Sequence, residues 1–212
     1  MKYRDIETII NILATTEGLG EKEFRKYKNP KTYNLSIDCL KEKLIQAKED
    51  NKLPKLVVPV HFAGQSCEME KIWLLSQEYG FKVIEDACHA LGGEYQNKKI
   101  GCCEYSDMAV FSFHPVKMIT TGEGGAITTN NKQLDERIDL LRSHGITKNA
   151  TKFDNESDGG WYYEQQALGF NYRLTDIQAA LGISQLKRLD DFVAKRREIA
   201  KQYFDKLDNG IL

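Results

Sequence analysis

The sequence lacks long hydrophobic runs and blocks of like charge. Its most apolar stretches, 56–60 and 108–113, are far shorter than the ~20 residues that a membrane-spanning helix requires. Acidic and basic residues nearly balance, with 31 Asp and Glu against 30 Lys and Arg in 212 residues. Because no charge run of either sign points to nucleic acid or to a membrane surface, we expect small molecules or proteins as partners.

Cysteine is scarce, and its five copies form no disulfide framework. They are Cys39, Cys67, Cys88, Cys102 and Cys103. An odd number of thiols in a chain of this length is typical of a reduced protein that folds without cross-links. The N-terminal residues MKYRDIETII contain acids and no uninterrupted apolar run before a cleavage site, so they are not a secretory signal. These features predict a cytoplasmic protein.

Several side chains that can bind metals lie between residues 86 and 114, but their spacing is not that of a metal site. They are Asp86, Cys88, His89, Cys102, Cys103 and His114. The sequence contains neither a CxxC pair nor an HxxxH pair there, and structural zinc sites usually draw on such pairs. We predict no metal site.

Short apolar runs that alternate with amphipathic stretches predict an α/β fold. Runs at 56–60 and 81–84, joined by a helical pattern at 67–79, form a βαβ unit whose right-handed crossover makes the two strands parallel. Their continuous apolar composition is typical of strands that are buried on both faces. Ligands of such sheets gather beyond the carboxyl ends of the strands, where His61 and Asp86 would lie.

Further elements extend this core in both directions along the chain. Helical patterns span 37–48, 132–143 and, with Gly182 as a weak point, 175 almost to 208; strands are predicted at 108–113 and 126–129. The loop HPVKMITTGEGG between those strands is long for a hairpin and rich in functional groups.

These patterns divide the chain into three parts. Residues 1–27 are an unassigned segment with a weak helical stripe. Residues 28–184 form the core, and residues 185–212 form a helical segment that follows it.

Four side chains near predicted strand ends favour one kind of chemistry. They are Asp86, His89, Ser112 and Lys117. A lysine in a glycine-rich loop beside a strand end can be partly desolvated, and its neutral amine can then form a Schiff base with a carbonyl. A carboxylate facing the same site can hold a protonated pyridine nitrogen. Pyridoxal 5'-phosphate (PLP) requires this pair of groups from a protein, although the pair is not unique to it.

Three motifs in order carry a family resemblance. They are IEDACHALGG (84–93), YSDMAVFSFHPVKMITTGEGGAITT (105–129) and GFNYRLTDIQAALG (169–182). They resemble the sugar aminotransferases of the fold-type I PLP-dependent enzymes, the DegT type, and FSFHPVK is most similar to the pseudaminic-acid pathway branch. The resemblance covers about residues 30–207. It implies the central part of a large domain with a mainly parallel sheet and flanking helices, and it predicts a fragment without the upstream phosphate-binding segment and the C-terminal small domain.

The resemblance implies a role for each of the four side chains. Lys117 would bind PLP covalently and later move the proton between the donor carbon and the cofactor. Asp86 would pair with the pyridinium nitrogen, and His89 would lie against the cofactor ring or contact its hydroxyl. Ser112 would contact the cofactor phosphate.

The same resemblance implies a reaction and a partner. An amino group, from glutamate, would pass to a nucleotide-linked 4-keto-6-deoxy sugar, UDP-linked in a pathway of the pseudaminic-acid type. Asn171 would reach the cofactor phosphate of the neighbouring subunit in a homodimer with shared sites, and His114 is a substrate-side candidate. A related branch that catalyses dehydration has histidine in place of the lysine, so Lys117 favours transfer.

Simpler explanations exist for most of these residues. Asp86 could cap the turn after its strand, His89 could be a buried histidine with satisfied hydrogen bonds, and Ser112 could bond within the sheet. Asn171 could be a turn residue.

The sequence leaves two larger questions open. The helix after Gly182, whose apolar stripe is interrupted by Arg196, could pack on the core, on a partner subunit or in a coiled coil. The second hypothesis for the whole chain is a catalytically incompetent fragment that acts at most as a binding partner, because lost phosphate contacts would weaken PLP binding.

Overall fold

The computed structural model describes residues 28–207 as thirteen helices and strands joined by loops and short turns. In chain order they are α1 (Ile37–Glu49), β1 (Leu56–Val57), α2 (Met69–Tyr79), β2 (Lys82–Asp86), β3 (Glu94–Tyr95), β4 (Lys98–Lys99), β5 (Met108–Ser112), β6 (Gly125–Thr128), α3 (Lys132–Arg142), β7 (Ile146–Thr147), β8 (Glu164–Gln165), α4 (Asp176–Leu186) and α5 (Leu189–Lys206). The weak helical stripe predicted within residues 1–27 lies outside the described residues.

A four-stranded sheet in the order β1-β2-β5-β6 forms the centre of the fold. β1, β2 and β5 are parallel, and β6 returns antiparallel to β5. The predicted α/β class with a mainly parallel sheet is therefore confirmed. β1 is shorter than the run at 56–60, because Pro59 has no N–H to donate and only an isolated bridge from Val60 to Asp86 continues the pairing.

Helix ends follow the local sequence closely. The Ser36 side chain accepts a hydrogen bond from Cys39 N–H at the start of α1, and Asn131 does the same for two amides of α3. Gly80 ends α2 in the left-handed conformation, as glycine commonly does at this position. Thr175 and Gln178 form a capping box at the start of α4.

The predicted continuous helix from 175 to 208 is wrong, because the chain breaks between α4 and α5 at Lys187 and Arg188. Gly182, the expected weak point, lies inside α4. A Cβ there would lie 2.9 Å from the Thr121 side chain, so glycine lets α4 approach the loop before β6. The signal at Gly182 was one of packing rather than of helix termination.

Burial differs between the two faces of the sheet. Val83 and Glu85 on β2 and Ala109 and Phe111 on β5 are buried, whereas the alternate positions are only half-buried. Val83 packs in a core with Leu44 of α1 and Ile72 of α2. Burial on both faces, as the apolar runs predicted, is not found within residues 28–207.

Candidate functional site

The loop that joins β5 to β6, residues 113–124, contains Lys117 and is called the Lys117 loop. Hydrogen bonds hold it on both sides of the lysine. Phe113 N–H donates to Gly124 O (2.8 Å), and Phe113 O accepts from Thr121 N–H (3.0 Å). Lys117 N–H donates to His114 O (2.9 Å), which makes a tight turn at the lysine. Ile119 and Thr121 are buried. The backbone that carries Lys117 is thus pinned to the end of β5.

Strand register brings Asp86 and Ser112 to one face of the sheet. Asp86 pairs with Val110 on the neighbouring parallel strand, and Ser112 lies two residues further along that strand. Because side chains alternate along a strand, Asp86, Val110 and Ser112 share the half-buried face, while Glu85 points to the buried one. Both proposed cofactor contacts therefore sit at the carboxyl end of the parallel strands.

Lys117 and His89 line the same cleft, which has a volume of about 470 Å³. His89 follows β2 in the turn after Asp86 and is exposed, so it is not the buried histidine that was the simpler alternative. Within residues 28–207 the Lys117 amine forms no hydrogen bond or ion pair. An amine without a carboxylate partner, open to a cleft of this size, is available to a ligand.

Cys88 lies within the electrostatic reach of both Asp86 and Lys117. Burial, together with the hydrogen bond and negative charge of Asp86, raises the pKa of the Cys88 thiol to about 12, while the positive charge of Lys117 opposes the shift. The Asp86 carboxylate also accepts a hydrogen bond from Cys88 N–H (3.1 Å). The charges of Asp86 and Lys117 therefore act on this thiol with opposite effects on its pKa.

A buried polar network supports the end of β2 from the other face. Cys67 N–H donates to His61 Nδ1 (3.1 Å), so His61 Nε2 carries the proton and donates to Glu85 Oε2 (2.7 Å). Ser106 Oγ donates to the other oxygen of Glu85. His61 is predicted near the ligand edge, but its bond to Glu85 and the bond from Ser106 are not predictable from the pattern, because His61, Glu85 and Ser106 are far apart in sequence.

Helices α4 and α5 pack on the loops that form the site. α4 reaches the Lys117 loop through Gln178 Nε2, which donates to Glu123 O (2.9 Å), and through Gln185 Oε1, which accepts from Thr120 N–H (3.4 Å). α5 packs on the turn after His89, where a Cβ at Gly92 would lie 3.0 Å from Val193 Cγ2. The helix after Gly182 therefore packs on the core.

The two remaining candidates lie away from this group. His114 is exposed, and its Nε2 is 3.9 Å from Glu123 Oε1 in the same loop. Asn171 is exposed and forms an isolated bridge with Ser143 beside the end of α3. Neither residue lines the cleft that contains Lys117.

Residues 28–207 form neither a metal cluster nor a helix suited to a membrane. No group of three or more His, Cys, Asp or Glu side chains is placed to hold a metal ion. Of the helices in that part, none has both the length and the apolar composition needed to cross a bilayer.

The donor set at the strand ends fits PLP. It offers a lysine amine that forms no hydrogen bond or ion pair with residues 28–207, a carboxylate at a strand end, a histidine in the lysine's cleft and a hydroxyl on the carboxylate's face. These are the groups that a covalently held, positively charged pyridine with a phosphate tail requires.

The sheet and the lysine loop define the class of fold-type I aminotransferases. Residues 28–210 match the DegT/DnrJ/EryC1/StrS aminotransferase family, and the chain belongs to this family. The resemblance carried by the three sequence motifs is thereby confirmed.

Curated relatives share nearly half of the aligned residues. UDP-4-amino-4,6-dideoxy-N-acetyl-beta-L-altrosamine transaminase of Campylobacter jejuni is 49% identical over 147 residues, which cover 69% of this chain and 36% of the relative. The spore coat polysaccharide biosynthesis protein SpsC of Bacillus subtilis is 46% identical over 149 residues, covering 70% of this chain and 38% of the relative. The chain spans less than half the length of these relatives.

Solved structures agree with this assignment. PseC of Helicobacter pylori, an aminotransferase involved in the biosynthesis of pseudoaminic acid, superposes with a TM-score of 0.75 at 38% identity, covering 87% of this chain and 45% of PseC. Spr1654 of Streptococcus pneumoniae in its PLP form has a TM-score of 0.67 at 25% identity and covers 84% of this chain and 46% of that protein.

Proposed function

We propose that this chain carries the PLP-binding core of an enzyme that transfers an amino group to a nucleotide-linked sugar. The observation that carries the proposal is Lys117, whose amine has no partner within residues 28–207 and opens into the cleft beside His89. Asp86 and Ser112 lie on one face of the neighbouring strand ends. The same residue types occupy the three motifs that the family shares.

The cofactor, when bound, supplies the electron sink that lets a C–H bond next to nitrogen lose its proton. Lys117 Nζ would hold the cofactor covalently, and as a free amine it would be the base that takes and returns a proton at the reacting carbon. The Asp86 carboxylate holds a proton on the pyridine nitrogen. Ser112 Oγ donates to the phosphate, and His89 orients the ring or its hydroxyl.

Glutamate is the proposed amino donor and a UDP-linked 4-keto-6-deoxy sugar the proposed acceptor, in a pathway of the pseudaminic-acid type. The name of the transaminase relative supports a UDP-linked aminodideoxy sugar, and that of PseC supports the pathway. Glutamate as the donor is what the family resemblance of the motifs implies. The amino group leaves one substrate and joins the other at one site, so no outside oxidant or reductant is consumed.

A homodimer and a cytoplasmic location belong to the same proposal. Asn171 is exposed, as a residue that serves a neighbouring subunit must be. Large apolar side chains of α4 are also exposed, Ile177 to 85% and Ile183 to 59%, and a second subunit would bury them. His114, exposed in the Lys117 loop, remains the substrate-side candidate.

A single-turnover experiment with the amino donor tests the proposed reaction. The chain is loaded with PLP, freed of excess cofactor and mixed with glutamate, and 2-oxoglutarate is measured by mass spectrometry. We expect close to one 2-oxoglutarate per bound PLP, and none from Lys117→Ala. A chain that holds PLP on Lys117 but releases no 2-oxoglutarate would contradict the activity and favour the alternative of a catalytically incompetent chain that only binds.

A further inference from the structure

One face of α5 takes part in the cleft that contains Lys117. Four of its residues line the cleft, namely Val193, Arg196, Arg197 and Ala200. Their spacing of three, four and seven residues places them on a single side of the helix. Val193 packs this side of α5 against the turn at Gly92. Two arginines thus occupy positions on the inward side where an amphipathic helix ordinarily carries apolar residues.

The cleft has an excess of positive charge that the rest of the chain does not share. Its polar lining residues are Lys117, Arg196, Arg197 and His89, and among the described residues no Asp or Glu lines it. The chain as a whole has a formal net charge of -1. Cations in a concave site with apolar walls raise the local concentration of anions. The cleft is therefore suited to an anionic ligand with more than one negative charge.

Arg196 is the arginine most available to such a ligand. Its side chain is exposed and has no hydrogen bond or ion pair within the described range 28–207. Arg197 lies close enough to Glu94 for its charge to act on that carboxylate, which is ion-paired with Lys99. Arg196 therefore presents its full positive charge to the cleft, and Arg197 contributes a second positive charge.

We propose that Arg196, assisted by Arg197, binds the diphosphate of the nucleotide-linked sugar. This inference rests on the proposed function, because that function supplies the diphosphate. A guanidinium donates two parallel hydrogen bonds to a phosphate, and two arginines match the two phosphates of a nucleoside diphosphate. Ser112, the proposed contact of the cofactor phosphate, does not line the cleft, which leaves the α5 side to the substrate.

Binding of UDP to the full 212-residue chain without PLP tests the assignment. Isothermal titration at low salt compares the unaltered chain with Arg196→Gln and with Lys201→Gln. Lys201 is an exposed residue of α5 that does not line the cleft, so its change removes the same charge from the same helix. We expect Arg196→Gln to weaken UDP binding roughly tenfold or more and Lys201→Gln less than about twofold.

Two further titrations, one with uridine as the ligand and one with the Arg196→Lys variant, make the test more specific. Uridine carries no phosphate, so its binding should not change between the unaltered chain and Arg196→Gln. Arg196→Lys keeps the charge without the planar pair of donors, and we expect its UDP affinity to lie between those of the other two chains. Circular dichroism confirms that each variant is folded.

Three results would overturn the assignment. They are the absence of UDP binding by the unaltered chain, an equal effect of the Arg196 and Lys201 changes, and a loss of PLP affinity in Arg196→Gln without a loss of UDP affinity. The last result would assign the arginine to the cofactor phosphate instead. Covalent labelling of Lys117 by PLP is scored separately, so a chain that binds UDP through Arg196 but does not bind PLP refutes the proposed function and keeps the arginine assignment.

Discussion

At the scale of single residues, the site depends on which side of β2 each acid faces. Glu85 and Asp86 are neighbours in sequence, yet Glu85 is buried with His61 and Ser106, and Asp86 faces the proposed cofactor side. The motif IEDACHALGG predicted the importance of Asp86 and His89. It could not show the partners of Glu85, because His61 and Ser106 are separated from it by 24 and 21 positions.

The reactivity of Cys88 measures, at the scale of one residue, whether the charge of Lys117 acts on the turn after β2. Its thiol pKa of about 12 results from burial and from Asp86, with Lys117 opposing. Loss of that positive charge in Lys117→Ala raises the pKa further, so less thiolate is present at any pH below it. We expect slower alkylation of Cys88, with its pH profile shifted upward, measured by peptide mass spectrometry.

Two comparisons control the Cys88 experiment. Lys132→Ala removes an exposed lysine at the start of α3 and should leave the Cys88 profile unchanged. Cys102, which is exposed, reports alkylation of an accessible thiol in the same sample. An identical Cys88 profile in the unaltered chain and in Lys117→Ala would show that the lysine does not act on this part of the site.

At the scale of elements, the helical patterns predicted most helix boundaries to within a few residues. Asn131 and Thr175 cap the helices they precede. The errors have tertiary causes. The break at Lys187 and Arg188 has no glycine or proline to announce it, and Gly182 is needed for the contact with Thr121 instead. Arg196, which interrupts the apolar stripe of α5, lines the cleft that contains Lys117, and the sequence pattern could not place it there.

The buried network of His61, Glu85 and Ser106 links the segment after β1, strand β2 and the segment before β5. Its loss should lower the free energy of unfolding. Glu85→Ala leaves the His61 N–H and the Ser106 hydroxyl buried without an acceptor, at about 1–3 kcal/mol for each. We expect the free energy of unfolding, measured in urea, to fall by roughly 3 kcal/mol, and less in Glu85→Gln, which keeps one acceptor.

An exposed acid provides the matched control for Glu85. Glu136 forms a surface ion pair with Lys152, and pairs of this kind contribute at most about 1 kcal/mol. Glu136→Ala should therefore change the free energy of unfolding only slightly. If Glu85→Ala were no more destabilising than Glu136→Ala, the network would not hold these elements together.

At the scale of the whole molecule, residues 28–207 close one face of the sheet and leave the other half-open. Val110 and Ile127 are neighbours on the open face, and Ile127 is 45% exposed. The continuous apolar runs predicted burial on both faces. A sequence pattern reflects every surface that a strand packs against, whether that surface belongs to the same segment or to another part of an assembly. The class of fold was predictable from the motifs; the cover of the open face was not.

The central claim is that Lys117 anchors PLP, and one measurement tests it most directly. The chain is mixed with PLP, reduced with borohydride to make the lysine–cofactor bond permanent, and digested for peptide mass spectrometry. Lys117→Ala and, as a lysine elsewhere on the surface, Lys132→Ala are treated in the same way. We expect one dominant adduct, on Lys117, which is absent from Lys117→Ala and unchanged in Lys132→Ala. An adduct spread over surface lysines, with the same total in all three chains, would contradict it.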